Sequence, residues 1–190
     1  MKRSIPYLAE DFSVALPVAE YAERFRDAER FAACCRACPN YGRSWGCPPF
    51  AKDPAGEFGR YRTALLIATK ITPGPQGLPL REAGQLIRPE RIRLERRLLE
   101  LERHTGGRAF SYVGSCLYCP EGSCTRPEGL PCRHPESVRP SLEACGFDIG
   151  RTTEELFGIR LLWGMDGKLP EYLTLVCALF HSRDALRWEP

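Results

Sequence analysis

Four cysteines fall within 17 residues, Cys116, Cys119, Cys124 and Cys132, at the spacing C-x2-C-x4-C-x7-C. Pro120, Gly122, Pro127, Gly129 and Pro131 stand between them, so the backbone must wrap rather than run straight. A wrapped loop can turn several thiolates toward one centre, as a metal ion or metal cluster requires. A second group lies upstream: Cys35-x2-Cys38-x8-Cys47 offers three ligands, and Cys34 beside it is a candidate fourth. The two groups hold eight of the ten cysteines, which points to metal chemistry before any other.

Four thiolates in one loop can hold a [4Fe–4S] cluster, a [2Fe–2S] cluster or zinc. The bacterial ferredoxin run C-x2-C-x2-C-x3-C-P is tighter, so the match to it is one of type. Zinc ribbons pair two C-x2-C knuckles, and Cys124 and Cys132 do not form a second one, which favours a cluster. A mixed zinc site on Cys35, Cys38, Cys116 and Cys119 stays open, because those two knuckles could meet in space. Three ligands on the upstream group would leave one iron open to a substrate, and Cys34 could close it. The radical-type C-x3-C-x2-C motif is absent. Pro39 and Pro48 stiffen the chain just past two of the ligands. Tyr41 and Trp45 either shield a centre from water or simply pack.

Weaker candidates surround these. Cys145 and Cys177 sit in apolar stretches and read as small buried hydrophobes. His134 is an outer donor to the site or a surface residue beside Pro135. Arg133 and Arg139 could hold an anionic group or lower thiol pKa values, or could pair with Glu136 and Glu143. No Ser/His/Asp set, phosphate-cradling glycine loop or dinucleotide fingerprint is present.

The elements that must position the loops follow from the pattern. Residues 1–16 read as a flexible lead-in, and 18–33 as one amphipathic helix delivering the chain to the first cysteines. Pro54–Tyr61 is a short helix, and Thr63–Ile71 an apolar run of strand length, buried on both faces. Pro79–Ile87 gives a turn or two of helix, and Pro89 restarts it with Ile92, Leu94, Leu98, Leu99 and Leu101 as the apolar stripe. Gly106 and Gly107 end that helix, and Ala109–Val113 is a strand feeding the main cysteine loop. A helix is expected over Pro135–Ala144, with Phe147–Ile149 extended or a turn. Another helix, capped by Thr152 or Thr153, runs to Phe157. Ile159–Trp163 and Tyr172–Phe180 are expected as a hairpin turning at Asp166-Gly167. The fold class is α+β: residues 1–190 as a single domain, a small sandwich of mixed sheet and helices. Cysteine-rich metal loops at 34–49 and 114–135 sit at one end of the sheet.

Net charge is +3 on 27 basic and 24 acidic residues, so nucleic acid is not the default partner. No apolar run follows the first charged residues and no stretch approaches a membrane span, so a cytoplasmic protein without membrane association is expected. Disulfides are rare there, which again turns ten cysteines toward ligation or redox work.

Three segments carry a resemblance: Cys35-Arg-Ala-Cys-Pro-Asn-Tyr-Gly with Trp45-Gly-Cys-Pro-Pro, then Gly114-Ser-Cys-Leu-Tyr-Cys, then Pro131-Cys-Arg-His-Pro-Glu-Ser-Val-Arg-Pro-Ser-Leu-Glu-Ala144. Together with the Leu-rich helix and Gly146–Ile149, they resemble the metal-binding proteins of domain of unknown function family 2284, from about residue 20 to 180. The resemblance implies a cytosolic metal or iron–sulfur protein with no settled reaction. It places the family's cysteines on Cys35, Cys38, Cys47, Cys116, Cys119, Cys124 and Cys132, while Cys34, Cys145 and Cys177 fall outside its pattern. The leading expectation is one [4Fe–4S] cluster on 116–132 and a second on 34–47, serving electron transfer or a reductive step with a redox partner protein or small-molecule substrate. Two alternatives are an enzyme with an open iron at the three-cysteine group and a zinc-stapled binding module. A homodimer is compatible with each.

Overall fold

β2 (Thr63–Pro73) lies at the middle of the molecule and is apolar on both faces. The computed structural model describes residues 5–112, 114 and 116–189. Because successive side chains of a strand point to opposite faces, β2 feeds two cores at once. Ala64 and Leu66 join one, with Tyr21, Phe58, Phe110, Phe147 and Phe180; Leu65, Ile67 and Ile71 join the other, with Leu86, Leu94 and Leu98. The sheet order is β1-β2-β4-β3, formed by β1 (Tyr7–Pro17), β2, β3 (Arg108–Phe110) and β4 (Leu173–His181), and every pairing is antiparallel. One face is covered by α1 (Val18–Phe25) and α4 (Ile149–Phe157), the other by α3 (Ala83–Thr105). The architecture is α+β, as the pattern of elements implied.

Several expectations about elements are corrected. Much of the lead-in is a strand: β1 pairs with β2 along its whole length, from Tyr7↔Pro73 to Pro17↔Thr63. Residues 1–4 of that expectation lie outside the described residues. The single helix over 18–33 is two, α1 and α2 (Ala28–Ala37). Between them the chain turns aside to bond the 145–148 segment, with Asp27 N–H donating to Gly146 O and Asp148 N–H to Phe25 O, both at 2.8 Å. Asp27 then caps α2 by accepting from the Arg30 N–H at 3.1 Å.

Pro89 interrupts nothing: α3 runs through it as one 23-residue helix. The loss of one backbone bond at Pro89 is offset by the buried row Leu86, Glu90, Leu94 and Leu98, whose four-residue spacing puts them on one face. Ile92 is not part of that stripe and stands 42% exposed.

No helix forms over Pro135–Ala144 apart from a single 3-10 turn at Glu143–Cys145. Instead the Arg139 guanidinium gathers the carbonyls of Pro135, Glu136 and Val138. Ile159–Trp163 is not a strand: β4 pairs with β2 from Leu173 to His181 and with β3 at Ala178–Phe180, and residues 159–163 join neither edge. The Asp166-Gly167 turn closes only the small Met165↔Lys168 bridge. The cap of α4 is Asp148, which accepts from the Arg151 N–H at 2.9 Å, while Thr152 and Thr153 are buried inside the helix. β3 is described as Arg108–Phe110; Val113, at the end of the expected strand, lies outside the described residues. Among the described residues, no helix is long and apolar enough to cross a membrane.

Candidate metal centre

α2 carries the upstream thiols and β3 leads to the downstream ones. Cys34 and Cys35 occupy the last turn of α2, and Cys38 caps its C-terminus with its N–H donating to Cys35 O at 3.1 Å. Adjacent residues on a helix point about 100° apart, so Cys34 and Cys35 cannot share a facing direction. Cys34 is exposed and Cys35 half-buried.

Contacts of four side chains, Asn40, Trp45, Cys47 and Arg126, stitch the loop after α2 to the loop after β3. The Asn40 amide donates to Gly114 O at 3.3 Å, and the Trp45 indole N–H donates to Thr125 Oγ1 at 3.3 Å. The Arg126 guanidinium lies over the Trp45 ring, 4.4 Å from its centroid, and also reaches the carbonyls of Ser44 and Pro49. Cys47 Sγ is 3.6 Å from the Tyr112 hydroxyl. The approach is close: a Cβ on Gly46 would sit 2.4 Å from the Tyr112 ring, so only glycine fits there.

Across this seam is a cavity of about 870 Å³. Cys116, Cys119 and Cys124 line it from the downstream loop, and Asn40, Arg43 and Ser44 from the upstream one. Cys132 is half-buried and accepts a hydrogen bond from the His134 N–H at 3.4 Å, while the His134 ring stacks on Tyr118. Cys35 lines a different cavity, of about 230 Å³, together with Tyr41 and Cys145. Of the mixed zinc set, Cys116 and Cys119 line the larger cavity and Cys35 the smaller one. Cys47 stands between the groups, close enough to feel the charges of both Cys38 and Cys116.

Electrostatics distinguish these thiols. Burial pushes Cys116 up, opposed by a backbone hydrogen bond at Tyr118 and reinforced by the charges of Cys119, Glu95 and Cys124. Burial also raises Cys35, followed by the charges of Cys47 and Cys38 and of Glu143. A bound cation would neutralise the charges that bear on Cys116, and in donor chemistry the four thiols of the downstream loop suit a metal or cluster. Among the described residues, no three His, Cys, Asp or Glu side chains converge closely enough to hold a single ion.

The remaining candidates resolve differently. Cys145 and Cys177 are buried in the two cores, and burial pushes Cys145 up to about 12. Arg139 pairs with Glu102, at 2.9 and 2.5 Å, rather than with Glu136 or Glu143, and Arg133 donates to Ser123 O at 2.6 Å. Glu143 is a residue that the sequence pattern did not single out. Burial raises its carboxyl, and its Oε2 is sealed from solvent with no hydrogen-bond partner. Its signal was hidden inside a segment that reads as a helix. Arg126 was also missed, since nothing in the spacing shows that its partner is an aromatic ring some 80 residues upstream.

Comparison with known proteins gives one finding. A family model described as "Predicted metal-binding protein (DUF2284)" matches residues 22–180. Neither the curated proteins nor the solved structures yield a match.

Proposed function

The chain belongs to the DUF2284 family of predicted metal-binding proteins, and from that premise we propose that it is an iron–sulfur protein. Cys116, Cys119, Cys124 and Cys132 would hold one [4Fe–4S] cluster, and Cys35, Cys38 and Cys47 a second. Cys34, the exposed neighbour of Cys35 on α2, is left out of that second set. Bound there, such clusters would supply one-electron chemistry, for transfer to a redox partner protein or for reduction of a small substrate. One observation carries the proposal: three thiols of the downstream loop line a single cavity whose opposite wall is the loop of the upstream group.

The chain's own groups have definable parts. The His134 N–H donates to Cys132 Sγ, the kind of hydrogen bond that tunes a ligating sulfur. Tyr112 borders the cavity and meets Cys47, so it limits water between the two groups. Arg126 and Trp45 lock the loops in register.

The test is anaerobic purification followed by a visible spectrum and by iron, sulfide and zinc analysis. About eight irons per chain, from two four-iron clusters, with colour bleached by dithionite, is the expected result. About four would restrict the proposal to the downstream loop. A colourless protein carrying stoichiometric zinc would overturn it in favour of a zinc-stapled binding module.

A further inference from the structure

Beside the cysteine loops is a second cavity, of about 400 Å³, lined by Trp45, Phe50, Phe58, Tyr61, Phe110 and Arg108. No thiol lines it. We propose that it binds a small, flat aromatic anion, an aryl carboxylate or a compound of that class, with its ring among these side chains and its acid group at Arg108.

The wall is built, not collapsed. Phe58 and Phe110 are held edge to face at 6.1 Å between centroids, and Phe110 and Phe58 each pack on Phe180 at 4.6 and 5.4 Å. Trp45 is fixed by its bond to Thr125 and by the Arg126 guanidinium lying over its ring. Ring faces held in place favour a flat guest, because a stacked or edge-on ring recovers quadrupole attraction as well as area. The volume lies within the range of small-molecule sites.

Arg108 supplies the polar anchor. It comes from β3, is half-buried, and its guanidinium makes no hydrogen bond or ion pair among the described residues. A planar guanidinium in such a wall is suited to a carboxylate, which it can meet with two parallel N–H donors. Of the acids at the rim, Asp53 is engaged by Arg26 at 3.3 Å, and Glu57 is exposed and shares the lining with the equally exposed Lys52. The charge left for a guest to answer is positive. No cysteine takes part in it, but Trp45 and Phe50 belong to the upstream cysteine loop, so the protein is tested as purified, with its metal retained.

Equilibrium dialysis of the purified full chain against 2-naphthoate and against its neutral counterpart 2-naphthalenemethanol tests this. One naphthoate per chain is expected, bound about tenfold or more tightly than the alcohol, with the margin set by the charge-assisted pair. Arg108→Gln should bring the two probes to near equality while keeping the alcohol's affinity, and Arg108→Lys should restore part of the preference. Equal binding of both probes by the wild-type protein, or no binding of naphthoate, overturns the proposal without any variant. A preference that survives Arg108→Gln overturns the assignment to this cavity.

Discussion

β2 and β4 bury nearly every side chain between helices, whereas none of the eight grouped cysteines is buried. The sheet is held by apolar area on two faces. The cysteine loops are held to each other by a handful of polar pins, Asn40 to Gly114, Trp45 to Thr125 and Arg126 to Ser44, around a cavity of about 870 Å³. Polar pins between exposed or half-exposed groups contribute about 1 kcal/mol each. Burial of a single large side chain contributes about 1.5–3 kcal/mol. The comparison predicts that the sandwich orders itself from its own side chains, while the loops would gain much of their order from a group bound by the thiols.

The largest effects should come from the sandwich. Phe180 is fully buried and contacts Tyr21, Phe58, Phe110 and Phe147. Phe180→Ala should cost about 3–5 kcal/mol in chemical denaturation; a cost under about 1 kcal/mol would break the contrast with the loops.

Asp11 is the polar counterpart of that core. It is nearly sealed and accepts from both Arg93 Nη atoms at 2.8 Å, from Thr69 at 2.6 Å and from the Trp188 indole at 2.9 Å, pinning β1, β2, α3 and the chain's end together. Asp11→Ala should cost about 1–3 kcal/mol, because Thr69 and Trp188 lose their acceptor and the one-third exposed Arg93 keeps only Glu90. Burial alone would raise this carboxyl, but the donors from Arg93, Thr69 and Trp188 prevail and hold it below the usual range. A group with a depressed folded pKa binds its proton more readily unfolded, so its stabilisation is present above the unfolded carboxylate value, about 3.9, and fades as pH falls through the folded one. An acid titration of Asp11→Asn should therefore lack part of the wild-type loss of stability at low pH; an unchanged profile would remove Asp11 from that role.

Gly46→Ala tests the seam, since the added Cβ meets the Tyr112 ring. A cost of about 1–3 kcal/mol is expected for such overpacking, with less metal retained by both cysteine groups. Normal metal content would show that the two loops bind independently.

The smallest effects belong to single thiols. Cys124→Ser should lose metal while changing global stability by under about 1 kcal/mol. Cys34→Ser should leave metal content unchanged, because Cys35 takes the half-buried position of this helical pair. A loss of iron in Cys34→Ser would make it the fourth upstream ligand.

What the sequence made legible follows the same division. β2 and β4 were readable because continuous apolar runs of strand length have few other uses, and α3 because its leucines recur at helical spacing. β1 was not, since an edge strand with Glu10, Asp11 and Ser13 carries a weak pattern and takes its order from pairing with β2. The 135–144 segment looked helical by composition, yet Arg139 satisfies its carbonyls from the side chain, a contact fixed by Glu102 on a distant helix. The cysteines were legible by spacing, but their division between two cavities was not. Nor was the close approach of Gly46 to the Tyr112 ring, which no local pattern records.

The most direct test of the contrast is hydrogen–deuterium exchange on the anaerobically purified protein before and after removal of its metal by chelation. Loss of protection at residues 38–50 and 114–135, with β2 and β4 unchanged, is the predicted result. Loops that exchange identically in both states, or a sheet that loses its protection together with them, would contradict it.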